Sequence, residues 1–338
     1  TCARYANACG ALVVSRHGCA PAMPTRVELD DYLGRAASIA RIDRDPRLNY
    51  LHRVTTRRGS WPELHLLALD HRVQLEELAR RHHAPLERLG ALKSLLARAG
   101  ASCADTLAPL PVGLILDDRY GAEALAEWNL SGAWLARPVE QAGQTPLALE
   151  HGPNIGLTLR GWPRHHVVKC LLRYHPDDDK AVRAQHEARL QQVAEACVHT
   201  EHELMVQIVP PSGSHLDSRT LSRALARLYA LGIMPEWWSL PASADAASWQ
   251  AIDELLATQD PHCRGVLMLG GSLDRDSLQQ AYRAAATAPC VRGVAVGRTI
   301  YNTIAADWLA GRVDDATLVS RVAEAFSRVI TLWSERAG

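Results

Sequence analysis

From residue 64 onward the chain alternates between short apolar runs and longer stretches in which apolar residues recur every three or four positions. The apolar runs are His65–Asp70, Val112–Asp117, Trp134–Val139, Val167–Tyr174, Leu204–Pro210, Trp237–Leu240, Gly265–Gly271 and Val291–Gly297. Runs that are apolar at nearly every position belong to strands covered on both faces. Helical stretches follow them: Leu75–His82 and Leu86–Ala99 after the first, Ala122–Asn129 after the second and Lys180–His199 after the fourth. The last four are followed by Thr220–Leu231, Ala246–Thr258, Asp274–Ala286 and Tyr301–Trp333. This repetition, over about 270 residues, predicts an α/β fold of the (β/α)8 TIM-barrel type rather than an open doubly wound sheet. The third unit is irregular. Gly143, Pro146, Gly152 and Pro153 lie between Glu140 and Pro163 and predict a long loop or short hairpin before its helix.

The beginning of the chain has a different character. A helix-like start at Ala3–Ala8 leads into the small-residue run Gly10–Ser15, a Gly/Pro-rich turn and a second helical run, Val27–Ala37. This piece is too short to bury a core of its own. The polar, arginine-rich stretch Arg41–Ser60 reads as a linker or loop-rich entry segment. The expected plan is a short N-terminal helical extension with linker, residues 1–45, and a barrel domain, residues 46–338.

Composition narrows the function. Across 338 residues, 37 Lys and Arg balance 37 Asp and Glu, which argues against a nucleic-acid partner, since that would require a basic surface. No apolar run reaches the ~18–20 residues of a membrane helix. The 8 cysteines include no CxxC pair, so reduced thiols in a cytoplasmic protein are expected. The chain opens on Thr1 with no charged-then-apolar leader and reads as processed or shortened. His82-His83 and His165-His166 are adjacent pairs whose members point apart, and no HExxH, Walker A or GxGxxG motif occurs. Neither a metal nor a cofactor is expected.

In such a barrel, chemistry gathers at the C-terminal ends of the strands. Those ends carry Asp70, His71 and Arg72, Asp117, Arg137 and Glu140, Arg173 and His175, Gln207, Ser239, Gly270-Gly271 and Gly297-Arg298. Along Val167–His175 the side chains alternate, so Val168, Cys170 and Leu172 should meet helices while Lys169, Leu171, Arg173 and His175 face inward. An unpaired ammonium inside a barrel is costly, so Lys169 should have a carboxylate partner in Asp70 or Asp117 and act in catalysis with them. The other lysines, Lys93 and Lys180, fall on surface-like helical stretches. Gly270, Gly271, Gly297 and Arg298 suggest a phosphate seat after strands seven and eight, where barrels frequently hold one. Arg72, Arg137, Arg173, His175, Gln207 and Ser239 complete the expected substrate contacts.

Seven segments carry a family likeness: LLALDHRVQLEELA, LILDDRYG, WLARPVE, HVVKCLLRYHPDDD, LYALGIMPEWW, DPHCRGVLMLG and VRGVAVGRTIY. Through them, residues 48–338 resemble the aldolase-like C-terminal domain of bifunctional inositol-catabolism proteins that join a 5-dehydro-2-deoxygluconokinase to a phosphodehydrodeoxygluconate aldolase. More distantly the chain is similar to tagatose-1,6-bisphosphate aldolase. The segment ANACGALVVSRHGCAPAMPTRVEL looks like the final helices of a ribokinase-type sugar kinase, without that kinase's anion hole or catalytic aspartate. The resemblance implies aldol cleavage of 2-deoxy-5-keto-gluconate 6-phosphate to dihydroxyacetone phosphate and malonate semialdehyde, through a lysine imine. It also implies a fused or associated sugar-kinase domain; an assembly of identical copies is a separate expectation. It places the imine-forming lysine at Ser239 and a proton-transferring carboxylate at Gln207, so both departures bear on the chemistry. Lys169 matches an auxiliary lysine. The competing expectation is a barrel that binds a phosphosugar, or partners a kinase, without cleaving anything.

Overall fold

A computed structural model describes residues 2–57, 59–107, 111–129, 133–271 and 273–337. The chain divides into two compact units, Thr1–Ser60 and Trp61–Gly338. The first holds α1 (Cys2–Val14), α2 (Arg26–Arg35) and α3 (Pro46–Thr56). Helix α3 corrects the expectation of a linker across Arg41–Ser60. Asp45 accepts from the Leu48 amide at 2.8 Å and Pro46 opens the first turn, an N-terminal signal strong enough to form a helix in a polar stretch. Within this unit Glu28 is fully buried and takes both Arg16 and His52 as partners.

The second unit is a closed parallel barrel in strict sequence order. Its elements begin with β1 (Leu64–Ala68), α4 (Arg72–Arg81), α5 (Arg88–Thr106), β2 (Val112–Ile115), α6 (Asp118–Asn129), β3 (Trp134–Pro138) and α7 (Ile155–Arg160). They continue with β4 (Val167–Arg173), α8 (Lys180–Thr200), β5 (Leu204–Val209), α9 (Thr220–Ala230), β6 (Trp237–Pro241) and α10 (Ala246–Gln259). The chain closes with β7 (Gly265–Leu269), α11 (Arg275–Ala285), β8 (Val291–Val296), α12 (Arg298–Leu309) and α13 (Asp315–Ser334). The predicted TIM-barrel fold is thus observed, with β8 pairing β1 to close the ring.

Period-two alternation sorts the strand side chains. Leu64, Leu66, Ile115, Trp134, Ala136, Val167, Met205, Trp237, Leu267 and Ala295 form one buried cluster that fills the barrel. Their strand neighbours Val168, Cys170 and Leu172 join the layer beneath the helices, which leaves Lys169 on the inward face. The seam of β1 and β8 is tight enough to require glycine. A Cβ at Gly293 would fall 1.8 Å from the Leu64 carbonyl oxygen.

One helical reading changes. The single run Tyr301–Trp333 is in fact α12 and α13, separated where Gly311 takes a left-handed φ of 71° and Asp314 caps α13 through the Thr317 amide. The third unit has its loop, with an isolated antiparallel bridge between Glu140 and Leu149 ahead of α7. Among the described residues, no helix is long and apolar enough to cross a membrane.

Candidate active site at the barrel mouth

The strands deliver charge to one end of the barrel. Lys169 is only 2% exposed, and its Nζ donates to Asp70 Oδ2 and Glu140 Oε1, both at 2.8 Å. Asp70 lies just past β1, and Glu140 continues the inward series Trp134, Ala136, Pro138 beyond β3. Glu140 also accepts from the Leu171 amide at 3.0 Å and from Arg72 Nη2 at 3.3 Å. Arg72, the first residue of α4, then reaches Glu150 in the loop after β3. The result is a buried chain of alternating charge: Asp70, Lys169, Glu140, Arg72, Glu150.

This chain sets the protonation states. Burial alone would lift the Asp70 carboxyl, but the Lys169 ammonium outweighs it and holds Asp70 far below the usual carboxylate range. Burial would likewise depress Lys169, but Asp70 and Glu140 prevail and raise it. Lys169 is therefore an ammonium at neutral pH.

Asp117 belongs to a different pair. It is bound by Lys93, which is fully buried and reaches the end of β2 from α5, correcting its assignment to a surface stretch. The reason is helical spacing, since Lys93 stands four residues after Leu89 and three before Leu96, both fully buried. Burial lowers Lys93 against the pull of Asp117. Asp117 also accepts the Tyr120 amide at 3.0 Å, securing the start of α6.

The other expected contacts separate into groups. Arg137 faces the helix layer, not the mouth, because it alternates with the inward residues Ala136 and Pro138. There it donates to Asp118 at 2.6 Å and stacks 3.8 Å above Trp162. His175 fastens loops together, its Nε2 lying 3.0 Å from the His215 carbonyl oxygen. Gln207 and Ser239 are register partners on β5 and β6. Ser239 is fully buried and its Oγ has no hydrogen-bond partner among the described residues. Arg173, at the end of β4, is exposed and has no ion-pair partner among the described residues.

Only half of the expected phosphate seat is open. The Gly270 amide is committed to the Ala295 carbonyl at 3.0 Å, and a Cβ at Gly270 would strike Val296 Cγ1 at 2.7 Å, so this glycine serves packing. Gly271 is an exposed left-handed turn residue, Ser272 lies outside the described residues, and the Asp274 carboxylate already caps α11. After β8 the arrangement differs. Gly297 precedes α12 without any side-chain cap, and Arg298 is exposed with no ion-pair partner among the described residues. An uncapped helix N-terminus beside a guanidinium attracts an oxyanion.

One mouth residue stands out beside it. His71 lies 3.9 Å from Asp70, and its Nδ1 is 3.1 Å from the hydroxyl of buried Tyr301. Burial, aided by Arg298, Lys169 and Lys93 against Asp70, lowers His71 to about 4. Arg298 and Lys169 therefore act on the same imidazole and share one end of the barrel. Among the described residues, no three His, Cys, Asp or Glu side chains converge as a metal-ligand set.

The strand-end reading includes Glu140 and His71 without giving them a role, and it leaves out Glu150, Lys93 and Tyr301. Glu140 and Lys93 carried a usable signal in their strand and helix periodicity. Glu150 and Tyr301 reach the mouth through tertiary contacts that no spacing reveals.

Residues 28–337 match the sequence profile of a family described as uncharacterized protein conserved in bacteria, DUF2090. A search of curated proteins finds no match. Among solved structures, the fold is similar to fructose-bisphosphate aldolase from Plasmodium falciparum, at 12% identity and a TM-score of 0.58, covering 85% of this chain and 94% of that one. It is also similar to Cgl0159 from Corynebacterium glutamicum, at 17% identity and a TM-score of 0.50, covering 89% and 97%.

Proposed function

The chain belongs to the DUF2090 family, and from that premise we propose that its barrel is an aldolase-like domain that binds a phosphorylated keto sugar acid without forming an imine. The observation that carries this reading is the state of Lys169. An imine former must present a neutral amine, and enzymes that use one lower its pKa. Even an ordinary lysine is neutral in only about one molecule in 2,500 at pH 7. Lys169 is pushed further toward the charged form, with its protons directed at Asp70 and Glu140. Ser239, at the position where the family likeness expects the imine-forming lysine, has no amine to offer.

Binding is supported by the two exposed guanidiniums. Arg173 ends β4 and Arg298 follows β8, strands on opposite sides of an eight-membered ring. Neither has an ion-pair partner among the described residues, which suits a ligand with an anionic group at each end. The fold of a fructose-bisphosphate aldolase fits the same class of ligand. The sequence likeness nominates 2-deoxy-5-keto-gluconate 6-phosphate.

A second reading, cleavage of that ligand, draws on the contact between Lys169 and Asp70. There the ammonium would polarise a carbonyl and the carboxylate would carry the proton. One experiment separates the two. The protein is incubated with this sugar phosphate or with dihydroxyacetone phosphate, treated with borohydride and weighed intact. The expected outcome is thermal stabilisation by the sugar phosphate, no covalent mass gain and no release of dihydroxyacetone phosphate. A mass gain at Lys169 or Lys93 refutes the absence of an imine, release without a mass gain favours the second reading, and no stabilisation refutes binding.

A further inference from the structure

We propose that His71 is a ligand-contact residue at this site, a neutral imidazole whose Nε2–H donates to an oxyanion held at Gly297 and Arg298, with Tyr301 as the positioning residue that fixes its tautomer. The inference rests on the oxyanion seat of the preceding section and adds a donor to it. It begins with the Tyr301 hydroxyl. Tyr301 is fully buried, and His71 Nδ1, at 3.1 Å, is its hydrogen-bond partner. A buried hydroxyl whose proton has no acceptor costs free energy, so the phenol donates and Nδ1 accepts. In a neutral ring the proton then sits on Nε2.

The ring stands beside Gly297, with room for a ligand. His71 stands at the N-cap position of α4 but makes no side-chain cap bond, so its imidazole is not spent on the helix. Its side chain is 26% exposed, which leaves an edge open to a ligand. Cε1, the ring atom between Nδ1 and Nε2, lies where a Cβ on Gly297 would be 2.6 Å away, with Nδ1 at 3.4 Å, so the missing side chain at Gly297 is what admits the ring to this corner. Arg298 follows immediately. A neutral donor beside a permanent cation adds direction without adding charge, which favours an oxygen of a phosphate monoester over a simple halide.

The test uses the full chain with 15N-labelled histidine, inorganic phosphate and glycerol 3-phosphate. Long-range proton–nitrogen spectra, with His71 assigned by its absence in His71→Gln, should show the Nε2–H tautomer at pH 7. Tyr301→Phe should convert it to a mixture. In calorimetry His71→Ala should weaken glycerol 3-phosphate about tenfold, while His71→Gln, whose amide nitrogen replaces Nε2, should recover most of that loss. An Nδ1–H tautomer in the native protein overturns the inference without any variant having to fold. So does unchanged affinity in His71→Ala when Arg298→Ala is weakened. If Arg298→Ala also binds both anions normally, the oxyanion seat itself is wrong, and this inference falls with it.

Discussion

Replacing Lys169 by methionine tests the electrostatic account of the mouth most directly. The substitution keeps the length of the side chain and removes one charge, so packing changes little. It deletes two charge-assisted hydrogen bonds, each 2.8 Å long, from a position 2% exposed. Glu140 keeps a partner in Arg72, but Asp70 loses its directly bonded cation and keeps only the weaker pull of Arg72 and of His71, 3.9 Å away. Breaking a buried pair in this way typically costs about 3–5 kcal/mol, because a carboxylate is left buried and uncompensated. For a domain of this size that corresponds to roughly 10 °C in Tm. The pH dependence adds a signature. In the native chain Asp70 is depressed, so its contribution is fully present above its unfolded pKa of about 3.9 and is lost only in stronger acid. In the variant, burial is opposed only by the weaker pull of His71 and Arg72 and should raise Asp70, so the penalty is present at neutral pH and relieved as pH falls. The stability gap should therefore narrow between pH 7.5 and pH 4.5. Urea denaturation followed by tryptophan fluorescence measures it, since all 9 tryptophans lie in the barrel unit. A loss below about 1 kcal/mol, or a gap that does not change with pH, refutes the reasoning.

Three further outcomes follow from the same geometry. Lys93→Met should destabilise the barrel by about 3–5 kcal/mol, and adding Asp117→Asn should recover part of that in the same denaturation assay, since the buried anion is gone. Gly293→Ala should yield no folded barrel, as judged by solubility and circular dichroism, because its Cβ would overlap the Leu64 carbonyl. Gly271→Ala, with open space around it, should fold and lose only about 1 kcal/mol. Asp314→Ala should cost about 1 kcal/mol by removing the cap on α13, read from the urea midpoint, and Asp314→Ser should restore most of it.

Much of the fold was legible because barrel strands announce themselves twice, as apolar runs and by their regular spacing. Every predicted strand is present, with ends displaced by one or two residues where the apolar pattern outruns the ladder, as at Leu69 and Asp70 after β1. Inward placement of Lys169 followed from alternation alone. The same rule, carried two residues past Pro138, selects Glu140 and turns Arg137 outward. Charge at a strand end does not by itself distinguish the two. Lys93 shows the opposite limit. Charge suggests surface, and only its spacing from Leu89 and Leu96 says otherwise. The break between α12 and α13 was written in Gly311 and Asp314, and helix α3 in Asp45-Pro46, but local signals of this kind are easily outweighed by a long helical period. The partnership of Tyr301 with His71 joins residues 230 positions apart, and nothing in the linear pattern brings them together.

The linked charges at the mouth also constrain how a chain of this kind can diverge. Asp70, Lys169, Glu140 and Arg72 neutralise one another across β1, β3, β4 and α4, so altering any one of them strands a partner. Descent through such positions requires paired or simultaneous exchanges. The side chains of Gln207 and Ser239 belong to no such set, and either can be exchanged without orphaning a charge elsewhere. In this architecture the residues at these positions of β5 and β6 are thus separable from the framework that keeps the barrel intact, and a lineage can exchange them while the scaffold survives.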